Sequence, residues 1–587
     1  MCGITAIFAY HGSSDSVRRD EVESITRYMA PRGPDAHGTW FSADGRVGLG
    51  SRRLAIIDLS PEGTQPMFDV ERDLVIVFNG EIYNHRELRK NLEARGARFH
   101  STSDTEVLLQ MYRRYGESMV ELLRGMFAFA IWDTRKQQMF MARDPYGIKP
   151  LYFADDGQTF RAASTVKALL AGGRVSRTRD NAGVAGFLML GSVPEPYTIY
   201  SSIRSFEPGT SLVIEASGRN PARRYYSIPE IFRHADEQRA IARLAEPATL
   251  LREMVTESID HHLIADVPVG AFLSAGIDSS TLTALAIRRS KYKLSTITIR
   301  ADEYAGKSTD EAPAAERFAK ELGAEHTIRM VTKSEFRDDL PKIFAAMDQP
   351  ATDGVNTWFV SKAAAEQGLK VAISGVGGDE LFGSYPAFKN VSRIERLSSL
   401  PLSVVPISYM THGNPKAKYV KRYGGTLPGA YFIQRGLFMP DELPTVMDRE
   451  AAEDAKTRLD VIDHIGRTVE PDPKTRFGRV ATLEASLYMR NQLLRDTDWA
   501  SMAHSLEVRT PLVDASLLRQ LAPLLLEHGS KCKQFFAESP SPPLPEWLRK
   551  RKKTGFALPL KEWMNLAPDG TTTRMRSWAR LVLAQFD

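Results

Sequence analysis

Cysteine is nearly absent from this sequence, which has only Cys2 and Cys532 in 587 residues. The two lie far apart and lack the spacing of metal ligands, so we expect neither a disulfide framework nor a zinc site. Long apolar runs are also missing, because the richest stretch, 397–410, is interrupted by Pro401 and Pro406. The N-terminus has no basic leader and no signal-peptide cleavage site. These absences predict a protein of a reducing compartment, the cytoplasm, without a membrane span.

A strong excess of one charge is lacking as well. Lys and Arg number 77 and Asp and Glu number 72, which gives a formal net charge of +5, and the two signs are interleaved along the chain. We therefore do not expect nucleic-acid binding. Apolar residues make up 43% and charged residues 25%, as in ordinary globular proteins, and the length predicts two or more domains.

A Gly- and Ser-rich turn, Ser274-Ala-Gly-Ile-Asp-Ser-Ser280, follows the apolar run 267–273. It precedes a segment, 279–289, that is compatible with a helix. A strand, a turn and a helix in this order expose unpaired N–H groups at the positive end of the helix dipole, which favours a phosphate ligand. The spacing is neither that of a Walker A loop nor that of a dinucleotide fingerprint.

A second turn, 374–383, begins Ser374-Gly-Val-Gly-Gly-Asp379-Glu380 and follows a predicted strand at 371–374. Taken alone, it is a flexible loop whose acidic residues face solvent. A strand at 294–299 and a helix at 311–322 lie between the two turns, and this alternation predicts a parallel, doubly wound sheet. Ligands of such sheets bind beyond the carboxyl ends of the strands, so we expect both turns to face one crevice.

The chain opens with Met1-Cys2. Removal of the methionine would leave Cys2 with both a thiol and an α-amine, and the amine could serve as the general base of an N-terminal nucleophile. Taken alone, a cysteine at this position is more often a small buried hydrophobic residue.

Four further motifs follow Cys2, and each has a structural interpretation of its own as a turn, a strand end or a helix cap. Apolar runs at 127–133 and 138–144 predict a pair of strands behind these motifs, in a strand-rich layered domain. The motifs are the turn Arg32-Gly-Pro-Asp35 with a charged rim, the strand-like run Arg52-Arg-Leu-Ala-Ile-Ile-Asp58, Asn79-Gly-Glu81 at the end of a strand at 74–78, and the cap Ser103-Asp-Thr-Glu106.

In this combination and order, the motifs from Cys2 to about residue 190 resemble the class II glutamine amidotransferase domain. The resemblance implies an N-terminal nucleophile hydrolase fold of αββα layers, with glutamine as substrate and ammonia as product. The residues that it implies are Cys2 as the nucleophile, Asn79 and Gly80 as oxyanion-hole donors, Arg53 as the partner of the glutamine carboxylate, and Asp104 with Glu81 close by as partners of its ammonium group.

The first turn resembles the pyrophosphate loop of ATP pyrophosphatases, Ser-Gly-Gly-x-Asp-Ser-Ser, with Ala275 in place of the second Gly. Together the two turns resemble those of asparagine synthetases, and this implies that ATP is cut between its α and β phosphates. The implied ligands of ATP are Leu273, Ser274, Gly276, Asp278, Ser279, Ser280, Ser374 and Gly375, and those of Mg²⁺ are Asp278 and Asp379.

A basic run at 549–553 is a solvated charge cluster, or even a nucleic-acid patch, when it is taken alone. The resemblance implies instead that Lys553 stabilises the pyrophosphate leaving group. The segments 491–498 and 501–514 continue the match and are expected to be helices.

The predicted fold is therefore α+β followed by α/β with a helical C-terminal part. Its divisions are a glutaminase domain at 2–191, a connecting segment at 192–246 that is not a free linker, and an ATP-pyrophosphatase, asparagine-synthetase-like domain at 247–587. A homodimer is compatible with the sequence.

Val376 departs from the asparagine synthetase pattern, in which this position usually carries a Glu assigned to proton transfer. The first hypothesis remains a glutamine-hydrolysing asparagine synthetase that forms β-aspartyl-AMP from aspartate and ATP. Val376 favours a second one, an amidotransferase for another carboxylate on a sugar acid, a peptide or a natural-product intermediate. A third hypothesis, a non-catalytic or purely glutaminase protein, is opposed by the presence of Asp278, Asp379 and Lys553.

Overall fold

The computed structural model describes residues 2–10, 16–239, 246–307, 309–400, 416–551, 558–564 and 574–586. Within these ranges the chain forms two antiparallel sheets and then one parallel sheet. Among the residues that the structure describes, no helix combines the length and the apolar character that a bilayer crossing needs.

The strands, in chain order, are β1 Gly3–Ala9, β2 Ala36–Phe41, β3 Val47–Arg53, β4 Met67–Phe68, β5 Leu74–Ile82, β6 Gly125–Asp133, β7 Gln138–Arg143, β8 Tyr152–Asp155, β9 Thr159–Ala163, β10 Arg204–Ser205, β11 Thr210–Glu215, β12 Gly218–Arg219, β13 Arg223–Arg224, β14 Val269–Phe272, β15 Ser295–Ala301, β16 Glu325–Val331, β17 Val371–Ile373 and β18 Glu507–Arg509.

The α-helices are Arg19–Tyr28, His85–Glu93, Asp104–Tyr115, Val166–Ala171, Asn181–Leu190, Ile228–Ala235, Pro247–His262, Ile277–Ala286, Ala312–Leu322, Lys333–Ala346, Val355–Glu366, Gly378–Leu381, Ala387–Ser399, Val420–Tyr423, Leu427–Arg435, Arg449–Arg458, Val461–Arg467, Arg476–Leu483, Arg495–Met502, Ala515–His528, Cys532–Glu538, Glu546–Arg549, Leu560–Trp563 and Arg574–Leu583. A π-helical stretch, Glu484–Leu494, leads directly into the helix Arg495–Met502.

The two antiparallel sheets pack face to face in the first half of the chain. One has the order β10-β8-β9-β1-β3-β2, and the other has the order β12-β11-β7-β6-β5-β4 with β13 paired to β11. Alternate residues of β1, β5 and β6 fill the space between them, and the rings of Phe8 and Trp132 meet there edge to face with centroids 5.0 Å apart. Helices cover both outer faces, so the predicted αββα layers are confirmed.

Several strand predictions for the first half are confirmed, and one is wrong. β6 and β7 form the expected antiparallel pair, with Phe129 opposite Ala142. The sheets continue to Arg224, so strands within the predicted connecting segment complete them. The predicted strand at 52–58 ends at Arg53, because the apolar residues 54–57 pack as a loop against the second half of the chain instead of continuing the ladder.

The third sheet is parallel, with the strand order β16-β15-β14-β17-β18, as the alternation of strands and helices predicts. β14 lies at its centre, and the first Gly-rich turn connects it to the helix Ile277–Ala286. The expectation of a helix at 501–514 is wrong beyond the first residues, because Glu507–Arg509 forms the edge strand β18 beside β17. This strand has only three residues and carries charge at both outer positions, so it shows no alternation of apolar and polar residues from which a strand could be predicted.

The two halves of the chain share two apolar core clusters. The helix Asn181–Leu190 shares a core cluster with β15 and with Trp358. The loop 54–57 shares another cluster with the helix Pro247–His262. The two halves are therefore packed directly against each other.

Asp144 anchors the turn between β7 and β8 at this contact. Its carboxylate is fully buried and accepts hydrogen bonds from the backbone N–H groups of Tyr146 (3.0 Å), Ile148 (2.9 Å) and Lys149 (2.9 Å). The N–H of Phe127 donates to it as well, at 3.2 Å. The turn thus depends on one buried acceptor.

We expect Asp144→Ala to lower the free energy of unfolding by about 3–5 kcal/mol, because several buried N–H groups lose their acceptor at once. Asp156→Ala is the matched control: Asp156 is exposed and accepts from the N–H groups of Gln158 (3.0 Å) and Thr159 (2.7 Å) at a surface hairpin. Its loss should cost less than about 1 kcal/mol. Denaturant midpoints followed by near-UV circular dichroism compare the two, and equal shifts would contradict this account of the turn.

Candidate functional site

Cys2 and Asn79 come together where the two antiparallel sheets face each other. Cys2 directly precedes β1, and Asn79 lies on β5 of the opposite sheet. The backbone N–H of Cys2 donates to Asn79 Oδ1 at 3.0 Å. Asn79 Nδ2 is buried and has no hydrogen-bond partner among the described residues. A buried donor without an acceptor, next to a thiol, is the kind of group that can stabilise an oxyanion.

Gly80 holds this arrangement against β6. Its φ is +148°, and a Cβ at this position would lie 2.0 Å from the carbonyl oxygen of Met126. A side chain is therefore excluded both by conformation and by space. Only glycine lets β5 approach β6 closely enough to keep Asn79 next to Cys2.

Burial raises the pKa of the Cys2 thiol. The backbone N–H of Leu54 and the positive charge of Arg53 act in the opposite direction but do not outweigh the burial. The thiol is therefore neutral in this state, and its activation requires a base.

Arg53 ends β3 with its guanidinium held by backbone carbonyls. Nη1 donates to the carbonyl of Ser60 at 3.1 Å, and Nη2 donates to those of Ile57, at 3.2 Å, and Asp58. A Cβ on Gly63 would lie 2.1 Å from Nη2, so glycine makes the room for this group. A guanidinium has five N–H donors, and those not used here suit a carboxylate.

Glu81 and Asp104 place two buried carboxyl groups close to each other. Asp104 Oδ2 accepts from the backbone N–H of Ile82 at 2.9 Å, whereas Glu81 Oε2 has no hydrogen-bond partner among the described residues. Burial raises the pKa of both carboxyl groups. A cationic ligand would favour their ionised forms, so the pair suits an ammonium group.

A second candidate site is a cavity of about 320 Å³ at the carboxyl end of the parallel sheet. Both Gly-rich turns line it, as the sequence predicts for turns that follow adjacent parallel strands. The predicted residues in its wall are Ser274, Gly276, Asp278, Ser279, Ser374, Gly375 and Asp379.

Two predicted ATP-binding residues do not line this cavity. Leu273 is buried in an apolar cluster with Ala315 and Phe318. Ser280 is buried as well, and its hydroxyl donates to the Ser274 carbonyl at 3.4 Å. Ala275, where related loops carry glycine, does not have a positive φ and is accommodated without strain.

Asp278 and Asp379, one from each turn, converge on the Lys533 ammonium. Lys533 Nζ lies 2.5 Å from Asp278 Oδ2 and 3.1 Å from Asp379 Oδ1. Burial lowers the pKa of Lys533, but the two carboxylates outweigh this effect and the net shift is upward. A Cβ on Gly378 would lie 2.3 Å from Asp278 Oδ1, so the turns can meet only at a glycine.

These two carboxylates fit a divalent cation held together with phosphate oxygens. They face a common point, and oxygen ligands are those that Mg²⁺ prefers. Within the described ranges no cluster of three or more His, Cys, Asp or Glu residues could hold a metal by itself. Mg²⁺ is usually bound by one or two carboxylates together with water and substrate phosphates, and this donor set fits that pattern.

Val376 lines the same cavity but cannot transfer a proton. The candidate acid or base of this cavity is a neighbouring carboxyl group, that of Glu380. Glu380 is buried, lines the cavity and accepts a hydrogen bond from the Tyr385 hydroxyl at 3.0 Å. Burial raises the pKa of Glu380 to about 8. A carboxyl group with this pKa can exchange a proton near neutral pH.

Sequence reasoning missed Lys533 and misjudged Arg32. Lys533 lies in the helix Cys532–Glu538 and belongs to no motif, so no local signal identifies it. Arg32 was expected on a charged rim but is buried, with its guanidinium paired to Asp498. The predicted pyrophosphate partner, Lys553, lies outside the described residues.

Comparisons with known proteins agree with this division into two sites. The profile described as "Glutamine amidotransferase domain" matches residues 1–226, and that described as "Asparagine synthase" matches residues 250–580. A solved glutamine phosphoribosylpyrophosphate amidotransferase from B. subtilis matches at 17% identity, 56% coverage of this chain and 65% of its own, with a TM-score of 0.30.

Curated relatives match over nearly the whole chain. "Asparagine synthetase [glutamine-hydrolyzing] 1" of Bacillus subtilis is 29% identical, with 100% of this chain and 90% of the relative covered. "Putative asparagine synthetase [glutamine-hydrolyzing]" of Mycobacterium bovis is 32% identical, with 96% and 88% covered. The chain therefore belongs to the asparagine synthase family and carries a glutamine amidotransferase domain in its first part.

Proposed function

We propose that this chain is a glutamine-hydrolysing asparagine synthetase, which converts aspartate, glutamine, ATP and water into asparagine, glutamate, AMP and pyrophosphate. The observation that carries the proposal is the convergence of Asp278 and Asp379, from two separate turns, on Lys533 at the carboxyl end of a parallel sheet. The first half of the same chain sets Cys2 beside a buried amide donor. Family membership over both parts supports it further.

Glutamine hydrolysis is assigned to the first half. After removal of the initiator methionine, the α-amine of Cys2 takes the thiol proton while Sγ attacks the side-chain amide carbon. Asn79 Nδ2 and the N–H of Gly80 stabilise the oxyanion. Collapse of this intermediate releases ammonia and leaves a thioester, which water hydrolyses to glutamate. The raised pKa of Cys2 makes such a base necessary.

Recognition of glutamine would use the buried charges around Cys2. Arg53 binds the carboxylate with its remaining N–H donors, while Asp104 and Glu81 take the ammonium group. Burial raises the pKa of both acids although the positive charge of Arg509 acts in the opposite direction, so a bound ammonium would stabilise their ionised forms further. These are the roles that the sequence predicts for the same residues.

Activation of aspartate is assigned to the cavity in the second half. The side-chain carboxylate attacks the α phosphorus of ATP, pyrophosphate leaves, and ammonia then displaces AMP from the acyl-adenylate. Ser274, Ser279 and the N–H groups of the first turn bind phosphate oxygens. Ser374 and Gly375 border the nucleotide from the second turn.

Asp278 and Asp379 would hold Mg²⁺, which neutralises phosphate charge when it is bound. Lys533 keeps the two carboxylates together and offers a positive charge to the departing pyrophosphate. We also assign Lys553 to the stabilisation of the departing pyrophosphate, on the basis of the sequence alone.

Glu380 is the group that we assign to the proton transfer that Val376 cannot perform. Ammonia becomes positively charged as it attacks the acyl-adenylate, and a nearby carboxylate can accept the excess proton. Because Glu380 can accept this proton, Val376 no longer favours a carboxylate substrate other than aspartate. Aspartate, as in the named relatives, is therefore preferred to a sugar acid, a peptide or a natural-product intermediate.

The division of the chain is proposed as 2–191, 192–246 and 247–587, with strands of the middle part completing the first sheets. A reduced Cys2 thiol suits a reducing compartment, so we place the protein in the cytoplasm. Assembly as a homodimer is compatible with this assignment.

Cys2→Ala should lower glutamine-dependent asparagine formation by about 10⁴-fold or more, because the nucleophile is lost. Ammonia-dependent formation should stay within about twofold of wild type, since no residue that lines the second site is changed. Asp278→Ala should lower both by about 10²-fold or more. Asparagine and AMP are measured with either nitrogen source. Cys532→Ala, which changes the other cysteine, is the control, and equal losses with ammonia in Cys2→Ala would refute the two-site assignment.

Glu380→Gln should lower ammonia-dependent synthesis by about 10²-fold or more and flatten its pH profile. The wild-type rate, at constant free ammonia, should rise with pH through about 8, because the base acts only when it is ionised. Tyr385→Phe removes a hydrogen bond that favours the carboxylate, so it should move the midpoint to higher pH. An unchanged rate and profile in Glu380→Gln would contradict the role.

A further inference from the structure

A buried ion pair joins the two halves of the chain next to Cys2. Arg32 Nη1 lies 2.6 Å from Asp498 Oδ2, and Arg32 Nη2 lies 3.0 Å from Asp498 Oδ1. Arg32 is 5% exposed and Asp498 is 6% exposed. Two parallel N–H···O bonds between planar groups fix both position and orientation.

The third contact of Arg32 reaches the nucleophile itself. Its Nε donates to the carbonyl oxygen of Cys2 at 3.2 Å, while the N–H of Cys2 is held by Asn79. The same turn also touches β3, since the N–H of Asp35 donates to the carbonyl of Arg53 at 3.0 Å. A displacement of Arg32 would therefore move Cys2 and disturb the residue assigned to the glutamine carboxylate.

The other end of the pair lies beside the nucleotide cavity. Asp498 belongs to the helix Arg495–Met502, and its neighbour Thr497 lines the cavity together with Leu493. Successive residues of a helix point about 100° apart, so one helix presents Thr497 to the nucleotide and Asp498 to Arg32. The helix continues the π-helical stretch Glu484–Leu494, an irregular conformation that is frequent at functional sites.

The ion pair of Arg32 and Asp498 is strong enough to make the turn that carries Arg32 and the helix that carries Asp498 move together. Burial by itself would lower the pKa of the Arg32 guanidinium, but the Asp498 carboxylate outweighs it and the pKa is raised. Separation would leave two unpaired charges in the interior, which is strongly unfavourable. A shift of the helix is therefore expected to carry Arg32 with it.

We propose that Asp498 is the positioning residue through which the state of the nucleotide cavity reaches Cys2. With ATP and aspartate bound, the helix Arg495–Met502 holds Arg32, and through it the Cys2 carbonyl, in the arrangement that supports glutamine hydrolysis. Ammonia is then released mainly when an acceptor is ready. The inference rests on the proposed function and adds to it a link between the two sites.

Asp498→Asn tests the inference, because it keeps the shape of the side chain but removes its charge and one acceptor oxygen. Glutamate release from glutamine is measured with and without ATP and aspartate. In wild type we expect these ligands to raise it by about fivefold or more. In the variant this increase should disappear, and the kcat for glutamine should fall by about tenfold with less change in KM.

Ammonia-dependent synthesis is the second measurement on the same variant, and it should stay within about twofold of wild type. This result also shows that the variant is folded. If Asp498→Asn does not fold, Arg32→Lys carries the same test, since a single ammonium cannot hold both carboxylate oxygens and the Cys2 carbonyl.

Lys370→Gln is the matched control. Lys370 Nζ lies 2.8 Å from Asp35 Oδ2, so it also joins the second half of the chain to the turn that carries Arg32, but it does not contact Cys2. The control should keep the wild-type response to ATP and aspartate. An equal loss of the response in Lys370→Gln would overturn the inference in favour of a general loosening of the interface.

Other outcomes separate this inference from the proposed function. A wild-type glutaminase that does not respond to ATP and aspartate, or an Asp498→Asn variant that responds fully, overturns the link alone. A wild-type protein that forms no AMP with aspartate and either nitrogen source overturns the proposed function.

Discussion

Charges buried between the two halves of the chain must be paired, and this constraint sets how the two sites lie relative to each other. Arg509 illustrates it: the guanidinium is fully buried and donates to Glu507 at 2.6 Å and to the carbonyls of His262 (2.8 Å) and Ile264 (2.7 Å). An unpaired guanidinium at such a place would cost about 3–5 kcal/mol. Each of these acceptors belongs to the second half of the chain, which thus holds the guanidinium in place at the contact with the first half.

The same residue touches both candidate sites. The Arg509 carbonyl accepts from the N–H of Ser374 in the second Gly-rich turn at 2.8 Å, and Arg509 Nη2 lies 3.5 Å from Glu81 Oε2. Together with the pair of Arg32 and Asp498, this gives two charged contacts from the parallel sheet and its helices to the residues around Cys2. The glutaminase residues are held partly by the half of the chain that would use the ammonia.

Close backbone approach is the second constraint, and it shapes the nucleotide cavity. The two turns can meet only because Gly378 leaves room for the Asp278 carboxylate. Lys533 then compensates two like charges that would otherwise repel each other. Two carboxylates and one ammonium keep a net negative charge, which suits a divalent cation that arrives with phosphate.

The sequence was sufficient to predict those features that depend on local composition. Cys2, the segment 79–81 at the end of β5, and both Gly-rich turns could be recognised because each has a distinctive composition at a strand end. The parallel direction of the strands in the third sheet could be predicted from the alternation of strands and helices. The predicted roles of these residues remain predictions.

The remaining features depend on contacts between distant parts of the chain, which local patterns do not encode. Arg32 and Asp498 are separated by 466 positions, and nothing near either residue indicates the other. Lys533 lies on an ordinary amphipathic segment. The loop 54–57 has the composition of a strand, and only its burial against the second half explains why it is not one. Tertiary packing decided each of these cases.

The central claim is that one chain makes ammonia at Cys2 and uses it at the cavity between the two turns. Its most direct test is the transfer of ¹⁵N from the side-chain amide of labelled glutamine in the presence of ATP, Mg²⁺ and an equimolar mixture of aspartate, glutamate and a sugar acid. The account predicts that the label appears in the amide of asparagine, with one AMP and one pyrophosphate formed for each amide. Label that remains in free ammonium, or that enters another acid, would contradict it.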